Sequence, residues 1–221
     1  MDAVLELRGV VKQGERGNAV LRRVDLTMDE GERICISGLS TDERSALARL
    51  IGGLTDPDEG TVTALGRELR SLNDRERAAL RNRHIGYASH APGFWRDMTV
   101  LQNIVMPLSL RGVPRTEQRE QGLTFLESLG LAYAAFAYPR GLLPFETRIT
   151  ALARAVILEP TLLILDDVFT GLDEKETDKL ADALNGLDRE MSILALSSSA
   201  AGALSDATSI KTEYGRIVRT A

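Results

Sequence analysis

The eight residues GLSTDERS, Gly38 to Ser45, stand between the apolar run RICIS (33–37) and a stretch with apolar residues at helical spacing. Strand, short polar loop and helix, in that order, are the setting of a phosphate loop. Its pattern, G-x-x-x-x-G-K-[ST], uses small residues and a lysine. Here Gly38 and Ser45 keep their places, but Glu43 stands where glycine belongs and Arg44 stands for lysine. Glycine permits the close backbone approach that aims N–H groups at a phosphate. Glutamate adds a Cβ and a negative charge facing a polyanion. Arginine keeps the positive charge but not the compact ammonium on a flexible stem. Ser40 and Glu43 also spell S-x-x-E, a capping box ahead of an apolar helical run. Such a cap satisfies the orphan N–H groups that a phosphate would otherwise take. The loop therefore reads better as a helix that caps itself than as a phosphate cradle.

A second cluster of chemistry-bearing residues ends the β-rich run TLLILDD, where Asp166 and Asp167 follow one another. The chain has two histidines, His84 and His90. His90 lies in a loop, where an imidazole can ligate, hydrogen-bond or simply be solvated. His84 is assigned no role.

The elements that must position these residues alternate between short β-type runs and helical patterns, which predicts an α/β sheet with crossover helices. Val4–Val11 and Ala19–Met28 read as strands joined by a turn, and RICIS as a third. TLLILDD and MSILALS (191–197) read as buried strands, and SIKTEYGRIVRT as a closing hairpin. Between His84 and Val156 three helical patterns follow one another without convincing strands, so a helical insertion is expected there.

The totals narrow the class. With 221 residues, 43 % hydrophobic and 27 % charged, this is the composition of an ordinary globular protein. A net charge of −5 argues against a broad nucleic-acid footprint. The single cysteine, Cys35, cannot form an internal disulfide, which fits a reducing compartment. No run reaches the roughly 18 apolar residues of a membrane span, and MDAVLELRGV does not look like a secretory signal. A cytosolic location is expected.

Taken together, three stretches resemble the nucleotide-binding subunit of an ATP-binding-cassette (ABC) transporter. LLILDDVFTGLD resembles the Walker B strand and D-loop, and YPRGLLPFETRITALARAVILEP has the layout of the signature motif and its helix. RNRHIGYASHAPGFWRDMTVLQNIVMPLSLRG resembles the Q-loop and helical-domain entry of lipoprotein-release and macrolide-export type ATPases. The resemblance implies a P-loop NTPase-like core with an N-terminal antiparallel β subdomain (1–83 and 156–221) and an inserted α-helical subdomain (84–155). It also implies ATP and Mg²⁺ as cofactors, a membrane permease subunit as partner, and a position on the inner face of the cell membrane. A second cassette subunit, identical or different, completes the dimer.

Carried over position by position, the resemblance places a nucleotide site on Gly38, Ser40, Thr41, Glu43, Arg44, Ser45 and His90. Thr41 and Glu43 replace inner glycines, and His90 replaces the Q-loop glutamine. Ser45 and Asp166 are implied as magnesium ligands if nucleotide binds. Asp167 takes the place of the catalytic glutamate, one methylene shorter. Ser197 or Ser198 takes that of the switch histidine. Leu143, Pro144, Phe145 and Glu146 replace most of L-S-G-G-Q, while Arg154 and the D-loop Asp173 remain. The aromatic that would stack on the base near Gln13–Gly14 is missing. Departures concentrated on phosphate-facing positions point to a pseudo-ATPase with a structural or regulatory role on a permease. A slow, atypical ATPase powering transport or lipoprotein extraction stays open, as does a soluble regulatory module. If a docking groove survives, it should involve His90–Asn103, with Phe94, Trp95 and Met98.

Overall fold

A computed structural model describes residues 3–14, 17–198, 204, 206–213 and 216–219. The α/β expectation holds, and the strands divide between two sheets. The first pairs β1 (Ala3–Gln13) with β2 (Ala19–Asp29) and with β4 (Glu59–Ala64), which in turn carries β5 (Arg67–Glu68), all antiparallel. The second contains β3 (Arg33–Ser37), β6 (Ile85–Ser89), β7 (Leu162–Asp166), β8 (Ser192–Leu196), β9 (Thr208–Glu213) and β10 (Arg216–Arg219). Its order is β10-β9-β3-β8-β7-β6, parallel except for the β9–β10 pair. That pair is the expected closing hairpin, and residues 214–215 between the two strands lie outside the described residues.

Among the described residues six α-helices connect the strands: α1 (Thr41–Ile51), α2 (Asp74–His84), α3 (Val100–Leu110), α4 (Arg115–Ser128), α5 (Pro144–Val156) and α6 (Glu174–Asn185). Successive side chains on a strand point to opposite faces, and the central strands are apolar on both. Leu162 and Ile164 join one core with Ile34, Leu47 and Ile51. Leu163 and Leu165 join another with Ile104, Leu126 and Ile149. The parallel sheet is thus buried from both sides, as its continuous apolar runs require. The first core ties α1 to the antiparallel sheet, and the second carries α3, α4 and α5.

One expectation fails. The stretch from His84 to Val156 is not free of strands, because β6 lies inside it and pairs in parallel with β7. Two features hid this strand. It is a short edge strand with Tyr87 exposed, and it carries Gly86, a poor β-former. The glycine has a packing reason: a Cβ at position 86 would lie 2.5 Å from the Ala155 carbonyl oxygen, so α5 sits directly on the strand. The antiparallel pair β4–β5 and the helices α2 and α6 were also not foreseen.

Candidate functional site

In an open parallel sheet the loops beyond the carboxyl ends of the strands form the crevice where ligands bind. Here those of β3, β7 and β8 meet. Gly38 leaves β3 with φ +80°, a left-handed conformation that favours glycine, and a Cβ there would stand 3.2 Å from the Thr212 carbonyl oxygen. Leu39 N–H donates to the Ser197 carbonyl at 3.1 Å, and Ser197 N–H to the Ile36 carbonyl at 2.9 Å. Asp167 N–H donates to the Leu196 carbonyl at 2.8 Å. The backbone alone therefore stitches the loop to the ends of β7 and β8.

The residues Thr41–Arg44, where the motif places open loop, form the first turn of α1. Ser40 is the N-cap and the capping box is complete. Ser40 N–H donates to Glu43 Oε2 at 2.7 Å, and Glu43 N–H donates to Ser40 Oγ at 3.4 Å. The Ser40 hydroxyl also donates to Glu43 Oε2, at 2.7 Å. Arg44 N–H turns to the Ser40 carbonyl at 3.0 Å. Asp42 and Glu43 set negative charge on the positive end of the helix dipole.

Arg44 decides what the site can do. It is only 4 % exposed, and its side chain turns back beneath the loop. Nε donates to Asp166 Oδ1 at 3.1 Å, and Nη2 faces Asp167 Oδ2 at 3.2 Å. Nη1 donates to the Leu39 carbonyl at 3.0 Å, and Nη2 reaches Thr41 Oγ1 at 3.5 Å. The planar guanidinium suits this forked role, which a lysine ammonium could not fill in the same way.

Both aspartates have further partners. Tyr87 donates its hydroxyl to Asp166 Oδ2 at 2.7 Å. Burial, and then that carboxylate, push the Tyr87 phenol well above its ordinary pKa. Asp167 is buried and adopts φ +55°. Burial pushes its carboxyl up, but the Ser198 N–H, the Thr170 hydroxyl and the Arg44 guanidinium together outweigh that and leave its pKa lowered. Ser198 N–H and Oγ each donate to Asp167 Oδ1 at 3.1 Å.

Several of the groups that a phosphate loop offers a triphosphate are already engaged here. The N–H groups of Leu39, Ser40, Glu43 and Arg44 already donate inside the chain, and a carboxylate covers the helix end. The charge that would meet a phosphate is spent on two aspartates. Ser45 is exposed and lines an open cleft of 630 Å³ with Lys12, Gln13, Asp42, Arg49 and Thr55. The structure thus brings Thr41, Arg44, Asp166, Asp167 and Ser198 together. Of the two serines expected at the switch position, Ser198 meets the carboxylate with its side chain, and Ser197 contributes its backbone.

His90 is tied in through its backbone: its N–H donates to the Asp166 carbonyl at 3.0 Å, and its carbonyl accepts from Arg148. Its Nδ1 is buried without a hydrogen-bond partner among the described residues. Arg148, which sequence reasoning missed, also donates to the carbonyls of Val168 and Thr170, each at 3.2 Å, and so braces the segment after β7. Its position at the start of an apolar helical run could have flagged it as a buried cation. Tyr87 was missed too, since nothing local links it to Asp166. Asp173 is the N-cap of α6. Arg154 donates to the Gly93 carbonyl at 3.2 Å and lies over the Phe94 ring. His84 pairs with the Thr161 hydroxyl at 3.2 Å.

The signature position shows the same device on the surface. α5 begins at Pro144, and Leu143 N–H donates to Glu146 Oε2 at 2.8 Å. The Tyr133 hydroxyl donates to the other oxygen of Glu146, which raises the tyrosine pKa. Neither a hydroxyl nor a run of small residues opens this helix end to an anion.

Comparison with known proteins agrees with the sequence resemblance. A family model described as ABC transporter matches residues 21–170. The lipoprotein-releasing system ATP-binding protein LolD of Psychrobacter arcticus is 34 % identical over 195 residues, covering 86 % of each chain. The uncharacterized ABC transporter ATP-binding protein YbbA of Escherichia coli is 34 % identical over 187 residues, covering 85 % of this chain and 82 % of its own. Among solved structures, the dimeric bacterial ABC transporter cassette MJ0796 superimposes with a TM-score of 0.87 at 25 % identity, over 97 % of both chains. A second structure of that cassette, dimeric and bound to ADP and Pi, gives 0.86 at 24 % identity, again over 97 % of both.

Proposed function

The chain belongs to the ABC transporter family, as an ATP-binding-type subunit, and from that premise we propose that it is a pseudo-ATPase with a structural or regulatory role on a membrane permease complex. The observation that carries this reading is the buried Arg44, ion-paired to Asp166 and Asp167 where a working site keeps its phosphate-binding lysine and metal. The self-capped ends of α1 and α5 support it from both halves of a composite site. In a cassette dimer each ATP site combines the phosphate loop of one subunit with the signature of the other. This chain would impair both, whether it pairs with itself or with a competent subunit.

The expected location is the cytoplasmic side of the membrane, through a permease. No described helix is long and apolar enough to cross a membrane. Residues 1–83 and 156–221 form the core body and 84–155 the helical one, with β6 contributed by the latter to the core sheet. Calorimetric titration with Mg-ATP tests the reading, with the native chain beside a Thr41→Gly, Glu43→Gly, Arg44→Lys variant. No heat from the native chain and saturable binding by the variant are expected. Micromolar binding by the native chain, with turnover lost in Asp166→Ala, would establish an atypical ATPase instead.

A further inference from the structure

Beside the start of α5 lies a cleft of 880 Å³, bounded by the end of α4, the Ala132–Ala134 turn and α6. Its floor is apolar, with Phe125, Leu129, Phe145 and Leu187 partly buried there against the second core. Tyr133 and Leu143 line it too and are exposed, the leucine by 64 %. Single exposed leucines on a surface need no explanation. Leu143 does, because it is the N-cap of α5, a place that favours Ser, Thr, Asp or Asn. Its side chain makes no cap hydrogen bond and belongs to neither core. Three carboxylates line the same cleft, Glu146, Glu176 and Asp182, against one cation, Lys179. The Lys179 ammonium already lies over the Phe145 ring, 5.8 Å from its centroid. Glu146 and Glu176 are held by the N–H groups of Leu143 and Asp173, at 2.8 and 3.2 Å.

A groove between helices suits an amphipathic helix, whose apolar side chains one turn apart fill the floor while its polar edge meets the rim. Side chains already fixed lose little entropy when a partner arrives. A neutral or acidic occupant would cover three carboxylates without supplying a counter-charge, which is costly. A second copy of this chain fits poorly. Its basic helix α2 has its one leucine, Leu80, buried and so brings no anchor, and its α1 end would set Asp42 and Glu43 against like charge. We infer that the cleft docks a short amphipathic helix of a partner protein, with its apolar side chains on Leu143 and Phe145 and its lysines or arginines beside Glu176 and Asp182. The helix end whose motif counterpart meets a phosphate here meets a basic protein segment. The inference goes beyond the reading above and requires neither the loss of ATP binding nor a permease.

The test follows the fluorescence anisotropy of a labelled helical peptide, with leucines one turn apart and two lysines on its polar edge, titrated with the full chain. The same peptide with glutamines or glutamates in place of the lysines serves for comparison. The lysine peptide should bind about tenfold more tightly than the glutamine one at low salt, with an advantage that shrinks as ionic strength rises. Asp182→Lys should shift the preference to the glutamate peptide, while Glu30→Lys, exposed and outside the cleft, should not. Leu143→Ser gives α5 a better cap, so this variant should fold at least as stably as the native chain and still bind the lysine peptide about fivefold more weakly. Equal binding of all three peptides overturns the inference, because charge is what names the occupant. So does the lack of any anisotropy change at about 1 mM chain. Binding that neither Asp182→Lys nor Leu143→Ser alters lies elsewhere on the surface and overturns it as well. Self-association of the chain that competes with the peptide and is lost in Leu143→Ser overturns it in favour of a second copy. Because this readout needs no nucleotide, a native chain that binds Mg-ATP would sink the pseudo-ATPase reading without touching it.

Discussion

The N-termini of α1 and α5 are closed by the same kind of residue but anchored to different depths. Glu43 and Glu146 each stand third in their helix and accept the N–H of the preceding cap residue, at 2.7 and 2.8 Å. Beneath α1 the next residue, Arg44, continues inward to two aspartates and a carbonyl. Beside α5 the next partner is Tyr133, 74 % exposed. A surface cap can be exchanged at small cost. A cap continuous with a buried ion network cannot, because burying charge without its partner is expensive. Two departures from a phosphate-binding pattern that look alike in sequence are therefore unequal in energy.

That inequality can be broken or sharpened by substitution. The largest effect is expected from Arg44→Ala, which strands the buried Asp167 carboxylate and the partly buried one of Asp166 and should cost about 3–5 kcal/mol in urea denaturation. A cost below about 1 kcal/mol would show the network to be no deeper than a surface pair. Asp167→Asn comes next and is read against pH. A carboxyl with a folded pKa below its unfolded value of about 3.9 adds stability above that pH and loses it as pH falls through the folded pKa. The native chain should therefore lose stability below about pH 4 more steeply than the variant, and parallel curves would contradict the assignment. Ser40→Ala removes one half of the α1 capping box and should cost about 1 kcal/mol. Glu146→Ala, on the surface, should cost about 0.5 kcal/mol, measured the same way. If it equals the Arg44 variant, the contrast between the two helix ends is wrong.

The order of strands and helices was legible because the apolar runs and their periods are local. So was the cap on α1, since Ser40 and Glu43 lie within one turn. What Arg44 does was not legible. Its partners Asp166 and Asp167 are more than 120 residues away in sequence, and only the parallel alignment of the central strands brings their ends together. The sequence showed a lysine replaced by another cation, and no spacing rule tells an outward arginine from an inward one. Tyr87 was hidden for the same reason: it pairs with Asp166 across the β6–β7 edge, in a stretch that reads as helical. Ser197 and Ser198 could be named only as a pair, because a one-residue difference in register decides which side chain meets Asp167.

The left-handed backbone at Asp167 bears on whether this site could ever run backwards. Aspartate is among the few non-glycine residues that adopt positive φ readily, helped by its short polar side chain. Restoring glutamate there, alone, trades that tolerance for a longer side chain and forfeits the fit to Ser198. Restoring lysine at Arg44, alone, breaks the fork onto two carboxylates, and restoring glycine at Glu43, alone, uncaps α1. Each motif-type residue is expected to be unfavourable until the others are present. On the proposed reading the site behaves as a ratchet, in which nucleotide chemistry is separated from this chain by several simultaneous substitutions rather than by any sequence of single improving ones.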